Sequence, residues 1–227
     1  VMMCSAMIFM WSEVGGLIWG YGIGIVMKHV LITGFEPFDG SCLNPSAEVA
    51  RRLNGQEIGD KKVTGGVLPL DYRTMMSFFR QHVREVHPEF ILLMGQSNRG
   101  SVTIERMAVN SVSTEREDNE GYAPESDLIS PPGPVGYFSN VDVSVLARTL
   151  RDKGFSVFVS YHAGTFGCNY IFYKVLDLVA RGDLKAKVLF IHVPPLPAQA
   201  IEKHDQSLPT IELDDLVEVV RAIIREF

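Results

Sequence analysis

Cysteine is scarce in this chain. Three residues, Cys4, Cys42 and Cys168, cannot close an even disulfide framework, and no pair has zinc-finger spacing. A reducing, cytoplasmic setting is therefore expected. Basic clusters are also missing. The 21 Lys and Arg against 27 Asp and Glu give a formal charge of −6, which argues against nucleic acid or an anionic membrane as a partner.

Charge itself is nearly absent from residues 1–26, where Glu13 stands alone among Met, Trp, Ile, Gly and small residues. A secretory signal needs a basic amino-terminal region, and this stretch has none. A membrane span needs about 20 apolar residues. The run 14–27 is shorter and is broken by Gly15, Gly16, Gly20, Gly22 and Gly24. Residues 1–26 are thus expected to be an apolar extension upstream of the true start, with a weak membrane anchor as the alternative. The remaining 27–227 are long and apolar enough to bury the core of a single α/β domain, since 46% of the chain is hydrophobic.

What is present alternates. Apolar runs of strand length at 29–33, 62–68, 90–94, 155–160 and 188–193 are separated by stretches with helical spacing. Asn44-Pro45-Ser46 opens one helix, with Pro45 in the first turn where its missing N–H costs nothing. Asp71 is expected to cap a second, whose Met75, Phe79, Val83 and Val86 form one stripe and which His87-Pro88 stops. Asp142 caps a third, ending at Gly154, and Leu216, Val219, Val220 and Ile223 mark the last. Residues 103–112 read as extended, and 113–140 as a long irregular stretch of the kind that is functional or disordered. The pattern predicts a three-layer α/β/α sandwich with a mostly parallel, twisted sheet.

Between the 155–160 strand and the helix marked by Ile171, Val175, Leu178 and Val179 lies Ala163-Gly164-Thr165-Phe166-Gly167-Cys168-Asn169. The glycines permit a sharp turn, and a thiol at the mouth of a helix feels the positive end of its dipole, which favours thiolate. A free Cys is also a common small buried hydrophobe, and both readings stand. His192 ends the apolar run at 188–193, where reactive loops of open α/β sheets gather. It is either a satisfied core histidine or the base that takes the thiol proton and returns it to a leaving amine. Glu105 sits among Val102, Ile104 and Met107. It either pairs structurally with Arg106 or a Lys, or orients His192 as the third member of a Cys–His–acid triad. The same three side chains could instead hold zinc, although none of them has the close spacing of hydrolytic zinc sites.

The residues resemble one family. Gly34-Phe35-Glu36-Pro37-Phe38, Asn44-Pro45, Ile104-Glu105-Arg106 with Ala108-Val109-Asn110, Asp118-Asn119-Glu120-Gly121, the segment around Cys168, and Ile191-His192-Val193-Pro194 are similar to the type I pyroglutamyl peptidases, also called pyrrolidone-carboxylate peptidases. The resemblance covers essentially all of 27–227. It implies a cysteine omega-peptidase that removes N-terminal 5-oxoproline from peptides without metal or cofactor, with Cys168 as nucleophile, His192 as base and acid, and Glu105 as orienter. It further implies that Phe35 and Phe38 wall an apolar lactam pocket and that Asn44 and Gln96 lie near the ring amide. Self-association as a homodimer or homotetramer is also implied. Three positions depart from the family pattern. Glu115, followed by Arg116, stands where the family has Arg; His162 replaces a small or hydroxyl residue; and the 95–100 loop is one residue shorter. A catalytically silent lactam-binding module is the alternative from another functional class.

Overall fold

The structure is a computed structural model, and it describes residues 27–227; the two readings of residues 1–26 lie outside the described residues. Seven strands form one sheet: β1 (Lys28–Phe35), β2 (Glu57–Ile58), β3 (Lys61–Leu68), β4 (Phe90–Gln96), β5 (Val102–Glu105), β8 (Val157–Ser160) and β9 (Lys187–Val193). Their order is β2-β3-β1-β4-β9-β5-β8. Neighbours are parallel except at β2–β3 and β5–β9. Two further strands, β6 (Met107–Val109) and β7 (Gly136–Phe138), make a small antiparallel sheet.

Helices cover both faces of the large sheet. α1 (Pro45–Leu53), α3 (Val143–Asp152) and α6 (Leu213–Arg225) pack on one side; α2 (Met75–Val86) and α4 (Gly167–Arg181) pack on the other. A short α5 (Pro197–Glu202) follows β9. β4 and β9 lie at the centre, so both their faces are buried, as continuous apolar strands require. Alternate side chains divide between two cores. Leu92, Met94, Leu189 and Ile191 join the α1/α3/α6 side, whereas Ile91, Leu93, Val188 and Phe190 join the α2/α4 side. Each such fully buried side chain contributes about 1.5–3 kcal/mol.

This parity positions the chemistry. His192 has the same parity as Phe190 and so projects toward α4. In β5, Val102 and Ile104 enter the α1/α3/α6 core, which turns Thr103 and Glu105 to the α4 side as well. Thr103 pairs with His192 across the antiparallel β5–β9 ladder, so Glu105 lies one diagonal step from the imidazole.

Two local expectations change. Asp71 does not cap α2 directly: its Oδ1 accepts from the Arg73 N–H and its Oδ2 from the Thr74 hydroxyl, holding a turn that precedes the helix, and Thr74 occupies the N-cap position. Residues 103–112 are not one strand. Arg106 breaks the run where its N–H turns to the Ser160 carbonyl, and the chain leaves for the second sheet. The partner in that sheet, β7, falls inside the stretch read as irregular, because three residues beginning with glycine carry no periodicity.

Candidate active site

Gly164 adopts φ 82, a left-handed turn suited to glycine, and brings the chain from β8 to α4. Phe166 is the N-cap and has no side-chain bond to the helix, so the first N–H groups of α4 are open to an external acceptor. Cys168 is the second residue of the helix. Asn169 pins this helix mouth: its buried amide donates to the Val109 and Ser111 carbonyls and accepts from the Val109 N–H. Together these contacts fix the sulfur to the end of the sheet.

His192 Nδ1 and Glu105 Oε1 are 2.7 Å apart, and both side chains are buried. That bond occupies Nδ1 and leaves Nε2 for the side of the ring that faces Cys168. Burial disfavours the charged ring, but the Cys168 side chain, through charge and hydrogen bond, and then Glu105 outweigh it and raise His192 to about 9. The Glu105 oxygen that meets the imidazole also accepts from Arg99 Nη1 at 3.0 Å and from the Thr103 hydroxyl at 3.3 Å. The structural partner of Glu105 is therefore Arg99. Arg106 instead lies over the Phe138 ring at 4.7 Å.

Cys168 and His192 open onto a cavity of about 400 Å³. Phe38 and Gln96 line it. Phe35 and Asn44, the other two residues expected at the lactam pocket, do not. Phe35 is buried in the α2/α4 core. Asn44 is consumed by α1: its Oδ1 accepts from the Ser46 N–H and hydroxyl, and its Nδ2 donates to the Glu36 carbonyl. The residue serves as a helix cap behind the pocket wall.

The sequence reading missed several side chains. Gln199 is fully buried and donates to Gln96 Oε1 at 3.0 Å, which leaves the Gln96 amide N–H₂ free to donate to a ligand. Gln199 lies only five residues past the Ile191-His192-Val193-Pro194 motif, but nothing in its local sequence marks a polar side chain on the short α5 as turned inward. Ser97 also lines the cavity, and its buried hydroxyl has no partner among the described residues. Phe166 contributes an aromatic wall; its place directly before Gly167-Cys168 was the available signal. At the departures from the family pattern, Arg116 rather than Glu115 reaches the cavity, with its guanidinium 3.9 Å from the Phe166 centroid. His162 is absorbed by the turn, where its Nδ1 accepts from the Gly164 N–H at 3.2 Å.

Among the described residues, no group of three or more His, Cys, Asp and Glu is arranged to hold a metal ion. No helix among them is long and apolar enough to cross a membrane.

A thiol at a helix mouth, an imidazole and a buried carboxylate, at one end of a mostly parallel sheet, define the class as a cysteine peptidase. The family model described as pyroglutamyl peptidase matches residues 28–226, and the chain belongs to that family. It is 38% identical over 195 residues to the pyrrolidone-carboxylate peptidase of Bacillus subtilis, covering 86% of this chain and 89% of that protein. Among solved structures, the pyrrolidone carboxyl peptidase of Pyrococcus furiosus superposes with a TM-score of 0.83 at 34% identity, over 88% of this chain and 97% of that one. The enzyme from Thermococcus litoralis gives 0.82 at 33% identity, over 88% and 92%.

Proposed function

We propose that the chain removes N-terminal pyroglutamate from peptides by acyl transfer through a thioester on Cys168. The Cys168 sulfur attacks the carbonyl carbon of the pyroglutamyl residue, and the open N–H groups at the start of α4 meet the resulting oxyanion. The tetrahedral intermediate collapses by breaking the C–N bond, and protonated His192 gives its proton to the departing amine. Water then attacks the thioester, His192 accepts the water proton, and pyroglutamate leaves as the thiol re-forms. Glu105 holds the imidazole by Nδ1 and keeps Nε2 aimed at the sulfur. No metal or cofactor takes part in this scheme.

The neutral lactam ring packs against apolar Phe38, beside the Phe166 ring that the Arg116 guanidinium covers, with the Gln96 amide as a hydrogen-bond donor to the ring carbonyl. A site built to bond that carbonyl discriminates against proline, which lacks it. The observation that carries the reading is the buried 2.7 Å His192–Glu105 pair on the face of the sheet where Cys168 opens α4. Release of 7-amino-4-methylcoumarin from its pyroglutamyl amide tests it, with loss expected in Cys168→Ala. A fully active Cys168→Ala variant defeats it. Binding of pyroglutamate with no turnover by the wild type would instead indicate a silent lactam-binding module.

The expected setting is the cytoplasm and the expected assembly a homodimer or homotetramer. The exposed Phe138, Phe158 and Tyr161 offer apolar surface for self-association. Light scattering on the purified chain decides the assembly; a monomer at micromolar concentration removes it.

A further inference from the structure

We infer that the cavity favours pyroglutamyl peptides that carry a carboxylate just beyond the scissile bond, and that Arg116 and Lys203 read this charge. The inference rests on the peptidase reading above and concerns what that site selects. In a chain of net charge −6, the cavity wall runs the other way. It carries Arg99, Arg116 and Lys203 against the single exposed carboxylate of Asp39. Arg99 is committed to Glu105. Among the described residues, no carboxylate lies within ion-pairing distance of Arg116 or Lys203.

A neutral lactam has no use for these cations. The cavity is also larger than a single five-membered ring needs, so it receives part of the leaving peptide. The Arg116 guanidinium is held over Phe166, with the Phe38 centroid 5.9 Å away, and Phe166 is two residues from the nucleophile. Stacking of this kind orients the planar fork in advance, so less freedom is lost when it takes a carboxylate. Lys203 approaches from the end of α5. The carboxylate next to it in sequence, Glu202, feels the Lys203 charge but spends its hydrogen bonds on the Ser41 hydroxyl and the Cys42 N–H. Two cations on separate elements thus line the cavity onto which Cys168 and His192 open. A carboxylate can come from the free terminus of a pyroglutamyl dipeptide or from an acidic side chain on its first leaving residue.

Two substrate pairs separate these sources: pyroglutamyl-alanine against its amide, and pyroglutamyl-glutamate amide against pyroglutamyl-glutamine amide. The wild type is expected to show about tenfold higher kcat/KM for the charged member of at least one pair, expressed in KM. That preference should shrink as salt is raised, because the cations are exposed. In R116Q and in K203Q the charged-to-neutral ratio should fall toward one, and R116K should recover part of it. Equal kcat/KM within both pairs for a wild type that cleaves all four peptides overturns the inference and leaves the peptidase reading intact. A uniform fall in kcat across all four in R116Q also overturns it, by placing Arg116 at the reacting carbon. Failure to cleave any of them or the coumarin amide would remove the peptidase reading and this inference together.

Discussion

A Cβ placed on Gly95 would stand 2.5 Å from the Cys168 sulfur. Gly95 is the β4 residue registered against His192, so the strand that supports the imidazole also makes room for the thiol. Only a residue without a side chain lets the helix mouth approach the sheet this closely. Gly95→Ala must push the sulfur away from the ring. A misplacement of about 1 Å costs on the order of 10²-fold in rate. The expected outcome is a loss of that size in kcat, with the thermal midpoint lowered only a few degrees. Wild-type kcat in Gly95→Ala would mean that the sulfur is free to relocate without consequence.

Glu105→Gln keeps the shape of the side chain and removes its charge. Glutamine can present its N–H₂ to Nδ1 and favour the wrong tautomer, while Arg99 loses its carboxylate partner. A fall in kcat of about 10²–10⁴-fold is expected. The pH profile discriminates a true orienting role from simple destabilisation, since loss of the carboxylate should also move the His192 limb to lower pH. An unmoved limb in a folded, slow variant would refute the assignment.

Stability should depend on His192 with a definite sign. Its value in the folded chain is raised to about 9, above the ordinary 6.5, so the native state holds a proton that the unfolded chain releases. The resulting stabilisation is complete below about pH 6.5 and is lost as pH rises through about 9. Urea midpoints taken from pH 6 to pH 10 should therefore fall more steeply for the wild type than for His192→Gln. Parallel curves for the two proteins would contradict the raised value.

Asn44 provides a test of stability rather than chemistry. Its side chain caps α1 and ties the helix to the Glu36 carbonyl. Loss of a cap costs about 1 kcal/mol, and the orphaned, partly buried Glu36 carbonyl adds up to about as much again. Asn44→Ala is expected to lower unfolding stability by roughly 1–2 kcal/mol in denaturant titration. An unchanged midpoint would show that the cap is dispensable.

Much of the fold was legible because its signals are local. The apolar runs that became β4 and β9 have the length and composition of strands buried on both faces. Of the glycines before Cys168, Gly164 makes the turn, whereas Gly167 opens α4 and leaves room for Leu70. The candidate Cys, His and Glu were visible for the same reason, since each stands at the end of a strongly patterned segment. Asp142 likewise caps α3 as expected, because capping needs only the residues that follow it. The three-residue β7 and the α2 cap were less legible. One depends on a distant partner strand, and the other on a turn that takes up Asp71 first.

Sequence by itself therefore determined the layered α/β plan, the helix-mouth thiol and the family, through hydrophobic period, turn chemistry and motif spacing. Only the tertiary structure decided that Glu105 meets His192, because the β5–β9 register joins residues 87 positions apart. The turn before β5 then brings Arg99, six residues back, to the same carboxylate in place of the adjacent Arg106. The tertiary structure also sent Phe35 and Asn44 behind the wall and brought Gln199 and Arg116 to the cavity. Those outcomes depend on which side chains long-range packing turns toward one another, and no local pattern encodes that.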